Sequence, residues 1–280
     1  MGREIIWSLV MRYPQLGLPL RYETKNSELY RAAVLRGEAV EGTPEFVTSE
    51  NDTLELCATP AGEVPVLYLE NREDFEHALR ALAYRCEPRE ILPSVGASTI
   101  SGLNNWEKIR THKREFFASG GRDWAAEFKR FTARKENYQD TLILLSAGYY
   151  SAVPPEELGL TAETWREKSL VIRKYHELTH FVCRRLWPEQ KNILRDEVYA
   201  DCIGLTAAFG GYEPAWAALF LGIEHGTCRP GGRLEHYVNQ EELPQAIREA
   251  GHYMEEAAQR AAGVSGKTAL ELLPEIYPCR

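Results

Sequence analysis

Apolar residues recur at helical spacing along most of this chain and gather into dense, strand-length runs in only two places. Arg72–Arg85 places Phe75, Leu79, Leu82 and Ala83 on one helical face, the stripe a packed helix needs. Asn26-Ser27 offers a cap for a helix over Glu28–Arg36, with Gly37 as its stop. The strand-like runs are Val64–Glu70 (VPVLYLE) and Thr141–Ser146 (TLILLS). Trp106–Phe131 reads as two helices broken at Gly120-Gly121, its Lys and Arg forming a solvated face. Thr161 caps a long helix that carries Glu163 in its first turn and ends at Trp187-Pro188. Ile172, His176, His180, Cys183 and Trp187 share one side of it. A second helix over Gln190–Phe209 stops at Gly210-Gly211, and its small residues Ala200, Gly204, Ala207 and Ala208 allow a close neighbour. Pro214 opens a helix ending near Glu224, and Glu241–Ala262 is the last strong one. Leu92–Asn105 has no apolar period and is expected to be a linker or loop. The predicted fold class is α+β, mainly helical. An N-terminal region over 1–103 is followed by a metal-binding region over 104–280, either as separate parts or as one continuous domain, with the metal-binding part starting at about Leu142.

Composition narrows the function classes. At 280 residues with 44% apolar content the chain can bury a sizeable core. A net charge of -8 argues against a nucleic-acid binder. No apolar stretch is long enough for a membrane span, and the run after Arg3 and Glu4 is broken by Arg12 and Pro14, a poor signal peptide. Ile6 stands where myristoylation needs Ser or Thr. The expected location is the cytoplasm. The cysteines (Cys57, Cys86, Cys183, Cys202, Cys228 and Cys279) form no C-x-x-C pair, which suits reduced thiols and not a cysteine zinc site. Cys183, one turn beyond His180, is expected as a small buried hydrophobe.

The chemistry concentrates in Tyr175–Asp201. His176-Glu177-Leu178-Thr179-His180 is an H-E-x-x-H. On a helix its two imidazoles lie one turn apart on one face and can share a metal ion, while Glu177 sits about 100° round and can reach a water at that ion. The bland alternative makes both histidines ordinary helix residues paired with local carboxylates. Against it stand the long, well-capped helix and a following helix that carries Glu197 and Asp201 as E-x-x-x-D.

H-E-x-x-H on one helix and E-x-x-x-D on the next resembles the gluzincin, thermolysin-like, group of zinc metallopeptidases, over His176 to Asp201 and its flanks. The resemblance implies zinc bound by His176, His180 and Glu197, with Glu177 as general base toward water attacking a metal-polarised carbonyl. It also implies that Asp201 accepts the other N–H of His176. Asp196 is the alternative carboxylate, about 100° round the helix from Glu197. Zincins generally place an edge strand beside the metal helix, a role open to Thr141–Ser146, which reads equally well as a core strand. Donors for an oxyanion or substrate would come from Tyr149, Tyr150, Tyr199, His225, His236 or Tyr237, with His225 and His236 the first pair to test.

The expected activity is zinc-dependent hydrolysis of a peptide or other amide bond, with no nucleic-acid or membrane partner. The rival expectation is a zincin-fold protein that binds metal or a peptide without cleaving it.

Overall fold

The two dense apolar runs become adjacent strands at the centre of one sheet, and the ligand-bearing helices pair with each other further along the chain. The computed structural model describes residues 2–40, 44–263 and 267–277, and the chain is α+β and mainly helical. It divides into two units: 1–55, 65–91 and 99–146 form the first, and 56–64, 92–98 and 147–280 the second. The sequence boundary at 103/104 falls inside the first unit.

The first stretch holds α1 (Gly2–Arg12) and α2 (Glu28–Tyr30), which continues as a π-helical turn over Arg31–Leu35. Ser27 caps it by accepting from the Tyr30 N–H at 3.1 Å. Strand β1 (Thr53–Thr59) meets β2 (Gly62–Leu69) through Pro60-Ala61, a connection short enough only for antiparallel neighbours. Helix α3 (Arg72–Leu82) follows, then β3 (Ala97–Asn104), α4 (Trp106–Ala118), α5 (Trp124–Thr132) and β4 (Gln139–Ser146). The strand order is β1-β2-β4-β3, with β2 parallel to β4 in the register Val66–Ile143 to Leu69–Ser146. Parallel central strands are covered on both faces, which is why Leu142–Leu145 are all buried in an unbroken apolar run.

Two expectations are corrected here. Leu92–Asn105 is not loop throughout, because residues 97–104 form β3. Only Ile100 and Leu103 of that strand are buried, so its identity comes from pairing and not from its own apolar pattern. Thr141–Ser146 is an interior strand, flanked by β2 and β3, so its edges are already paired and it cannot serve as the open edge strand of a zincin cleft.

The second unit is built on α6 (Ala162–Leu186) and α7 (Ile193–Phe209). After them come α8 (Pro214–Leu221), the two-residue strands β5 (Ile223–Glu224) and β6 (Thr227–Cys228), α9 (Leu243–Ala262) and α10 (Ala269–Ile276). The helix expected to run from Pro214 to Glu224 thus stops at Gly222, in a left-handed conformation, and gives way to the antiparallel β5–β6 ribbon. Thr161 and Asn192 cap α6 and α7 as side-chain acceptors. Trp165 is fully buried, stacks on Phe220 of α8 with ring centroids 5.7 Å apart, and donates its indole N–H to the Val153 carbonyl. Helices α6 and α7 touch at Gly204, where a Cβ would lie 3.0 Å from both the Cγ2 and the carbonyl oxygen of Ile172. Among the described residues no helix is long and apolar enough to cross a membrane.

Candidate metal centre

Ile172 stands one turn before His176 on α6 and meets Gly204 of α7, and this close approach helps to set the distance across which α6 and α7 share ligands. His176 and His180 project from α6 and Glu197 from α7, and one donor atom from each lies within 4.8 Å of the others. The Nε2 atoms of His176 and His180 are 3.0 Å apart, with the rings at 81° to each other. His176 Nε2 is 3.3 Å from Glu197 Oε2, and His180 Nε2 is 3.3 Å from Glu197 Oε1. Three ligands bonded to one tetrahedral ion at ordinary Zn–N and Zn–O lengths would stand about 3.3 Å from one another. The donor set therefore fits a metal ion. Asp196 stays outside it, accepting instead from the Tyr277 hydroxyl.

The carboxylate of Asp201 can only accept, so Nδ1 of His176, 2.9 Å from Asp201 Oδ1, carries a proton, and the proton that Nε2 shares with Glu197 is the one a metal ion would replace. Asp201 is fully buried and accepts twice more: from the Tyr150 hydroxyl at 2.6 Å and from Arg233 Nη2 at 2.5 Å. Arg233 Nη1 also donates to the Tyr150 oxygen at 2.8 Å and to Ser151 Oγ at 3.1 Å. Tyr237 donates to Glu197 Oε2 at 2.8 Å. Each carboxylate facing the histidines thus has a neutral or cationic donor on its other side, as a buried charge requires.

The titration behaviour follows from this packing. Burial lowers the His176 imidazole, but hydrogen bonds with Asp201 and Glu197 outweigh it and raise its pKa to about 9. Burial pushes the Glu197 carboxyl up, yet the positive charge of His180 and hydrogen bonds from both rings hold it well below the carboxylate range. Asp201 likewise ends lower than usual, burial being overcome chiefly by Arg233. Burial raises the Tyr150 and Tyr237 phenols well above 10, so both remain hydrogen donors. A pocket that raises the affinity of an imidazole for a proton in this way also favours a metal cation in the proton's place.

Three segments bring these groups together. Ser169, Arg173 and His176 lie at i, i+4 and i+7 on α6, on one face. Ser169 Oγ accepts from the Tyr150 N–H at 2.9 Å, and Arg173 donates to the carbonyls of Gly148 and Tyr149 at 2.6 and 2.7 Å. The loop is fastened along the face that carries His176, which delivers the Tyr150 hydroxyl to it. On the far side Gly222 has φ +79, and a Cβ there would lie 2.6 Å from the Cα of Gly232. That backbone contact holds the turn from which Arg233 reaches inward. The link between α6 and α7 is pinned by Tyr277, whose ring stacks on Trp187 at 4.7 Å while its hydroxyl donates to Asp196 at the start of α7.

Of the residues singled out from sequence, His176, His180, Glu197 and Asp201 converge. Glu177 is buried beside them on α6. Tyr150 and Tyr237 are also at the site, but their hydroxyls hold Asp201 and Glu197 and do not stand free for an oxyanion. Tyr149 contributes its backbone carbonyl to Arg173 and its ring to Arg166, 5.5 Å from the ring centroid. Tyr199 is buried against Tyr277. His225, at φ +49 between β5 and β6, and His236 are exposed, and no described contact joins either to the cluster. Cys183 is buried, and Cys279 lies outside the described residues. Sequence reasoning missed Arg233. Its signal was its place at the end of the Gly-rich stretch 225–233, whose glycines were read as loop and not as a device for aiming a side chain.

Fold and site together define an α+β, mainly helical protein carrying a two-helix His-His-Glu cluster able to hold a metal ion. The chain belongs to the family of unknown function DUF7005, whose family model matches residues 3–268. No curated protein and no solved structure matches it.

Proposed function

We propose that this protein is a zinc-dependent hydrolase, most simply a metallopeptidase acting on a peptide or other amide bond. The observation that carries the reading is the convergence of His176, His180 and Glu197, with Asp201 fixing the tautomer of His176. Two imidazoles and one carboxylate leave a fourth tetrahedral position open, the donor set of catalytic and not structural zinc. When bound, zinc supplies Lewis acidity that acidifies water and polarises a carbonyl.

The chain's own residues do the rest. Asp201, held as a carboxylate by Arg233 and Tyr150, keeps the proton of His176 on Nδ1. Tyr237 steadies Glu197. Glu177, next to His176 and buried, acts as general base, taking a proton from the attacking water and returning it to the departing nitrogen. The rival reading, binding without cleavage, keeps the same ligands and dispenses with Glu177.

Elemental analysis of the purified protein beside His180→Ala tests the centre: about one zinc per chain is expected, lost in the variant. Glu177→Gln should then retain zinc and lose turnover in a peptide and amide substrate screen. Full activity in that variant would remove Glu177 from the mechanism. Absence of zinc from the wild type after reconstitution would end the proposal.

A further inference from the structure

A concavity of the first unit is lined by the basic face that the sequence presented only as solvated. A cleft of about 430 Å³ is lined by Trp106, Ile109, Arg110 and Lys113 of α4, Trp124 and Phe128 of α5, and the turn at Leu35–Gly37. The α4 residues fall at i, i+3, i+4 and i+7 and the α5 pair at i and i+4, so one face of each helix forms a wall. The volume is in the range of small-molecule sites.

The lining is chemically biased. It contains Arg36, Arg110 and Lys113 and no acidic residue, in a chain with 41 acidic and 33 basic side chains. Arg36 spends its charge on Glu28 and Glu38, at 2.6 Å each. Arg110 gives one N–H to the Met11 carbonyl and keeps its charge. The Lys113 ammonium stands 5.6 Å from the centroid of the Trp124 ring. Trp106 is a fixed floor: its indole N–H donates to the Val34 carbonyl at 3.1 Å. Its ring lies against Gly37, where a Cβ would come within 2.1 Å of it. Gly37 has φ +69, so both its conformation and its missing side chain make room for the indole.

Cations beside aromatic faces recognise a ligand with a flat ring and a negative group: the ring stacks and the anion meets guanidinium and ammonium. We propose that this cleft binds a nucleotide-sized aromatic anion, a planar ring carrying phosphate, independently of the metal centre. The chain's overall negative charge disfavours a polymeric nucleic acid and leaves a small ligand drawn in by local charge.

Isothermal titration of the full-length protein with AMP, GMP, CMP and UMP tests the assignment. At least one should bind saturably at one per chain, with adenosine or the matching nucleoside, and inorganic phosphate, each at least about tenfold weaker. Lys113→Ala and Trp124→Leu, both on the cleft wall, should each weaken binding about tenfold while metal content stays unchanged. His180→Ala should leave nucleotide binding as it is. Lack of saturable binding by all four nucleotides, or binding indifferent to both wall variants, overturns the proposal. So does loss of binding in His180→Ala, which would put the phosphate on the metal centre. Tighter binding of a single-stranded oligonucleotide would make the cleft part of a nucleic-acid groove and overturn the small-ligand assignment. If Trp124→Leu fails to fold, Lys113→Ala decides alone.

Discussion

The contact between Gly204 and Ile172 can be measured by giving two helices the same new methyl group. Gly204 sits in α7 where a Cβ would fall 3.0 Å from Ile172 Cγ2 and from the Ile172 carbonyl oxygen. Gly251 sits in α9, where a Cβ would meet nothing within 4 Å. Replacing glycine by alanine in a helix interior gains about 0.8–1 kcal/mol from propensity at either place. At Gly251 that gain stands alone. At Gly204 one of the crowded neighbours is backbone and cannot rotate away, so α6 and α7 must part by a few tenths of an ångström. Overpacking of this kind costs about 1–3 kcal/mol. Gly251→Ala should therefore stabilise by about 1 kcal/mol and Gly204→Ala should be neutral or destabilising by up to about 2 kcal/mol. Urea denaturation at unchanged slope reads both numbers. Because His176 and Asp201 lie about one turn from the contact, Gly204→Ala should also weaken metal binding about tenfold in a chelator competition, and Gly251→Ala should leave it alone. If Gly204→Ala raises the urea midpoint as much as Gly251→Ala does, the close approach does not exist and the account of how the two helices share ligands is wrong.

Other perturbations probe the groups around the ligands. In chelator-treated protein the His176 pKa, raised from 6.5 to about 9, makes its proton worth about 3 kcal/mol. That stability is fully present below pH 6.5 and is lost as the pH rises through 9. Denaturant midpoints of wild type relative to His176→Gln should fall over that window, and a rise there would contradict the assigned hydrogen bonds. Arg233→Ala leaves the buried Asp201 without its cation and should cost about 3–5 kcal/mol; a loss below about 1 kcal/mol in chemical denaturation would mean that the pair is not buried as described. Tyr237→Phe removes only the hydroxyl on Glu197 and should weaken metal affinity by about 10–100-fold with little change in fold. An unchanged metal dissociation constant would reduce Tyr237 to packing.

The legible part of this molecule was the part written locally. H-E-x-x-H is a statement about one helix face, and capping residues Ser27 and Thr161 with stops such as Gly210 placed most helices within a few residues. Glu197 and Asp201, one turn apart on a single helix, could be assigned through the gluzincin resemblance that their E-x-x-x-D carries. What joins them could not be read. Tyr150 comes from a loop fastened to Ser169 and Arg173, and Arg233 comes from a turn set by two glycine backbones in contact. Neither has a periodic signature, since their partners lie 51 and 32 positions away at Asp201. Strand β3 was hidden for a related reason: its Ser, Thr, Gly and Asn residues become a strand only through their neighbours in the sheet. Arg110 and Lys113 looked like ordinary surface charge until the π-helical turn and Gly37 brought Trp106 beneath them.

Tyr277 bears on the order in which the centre can be made. Every ligand lies at or before Glu197, and Asp201 and Arg233 follow soon after, but the ring that fastens the link between α6 and α7 is at position 277. A chain growing from its N-terminus therefore holds all of its ligands long before it holds the ring that fastens the junction of their two helices. A metal ion met early in synthesis would find ligand helices whose junction is still unclamped, and a firm grip would come only once Tyr277 had joined them.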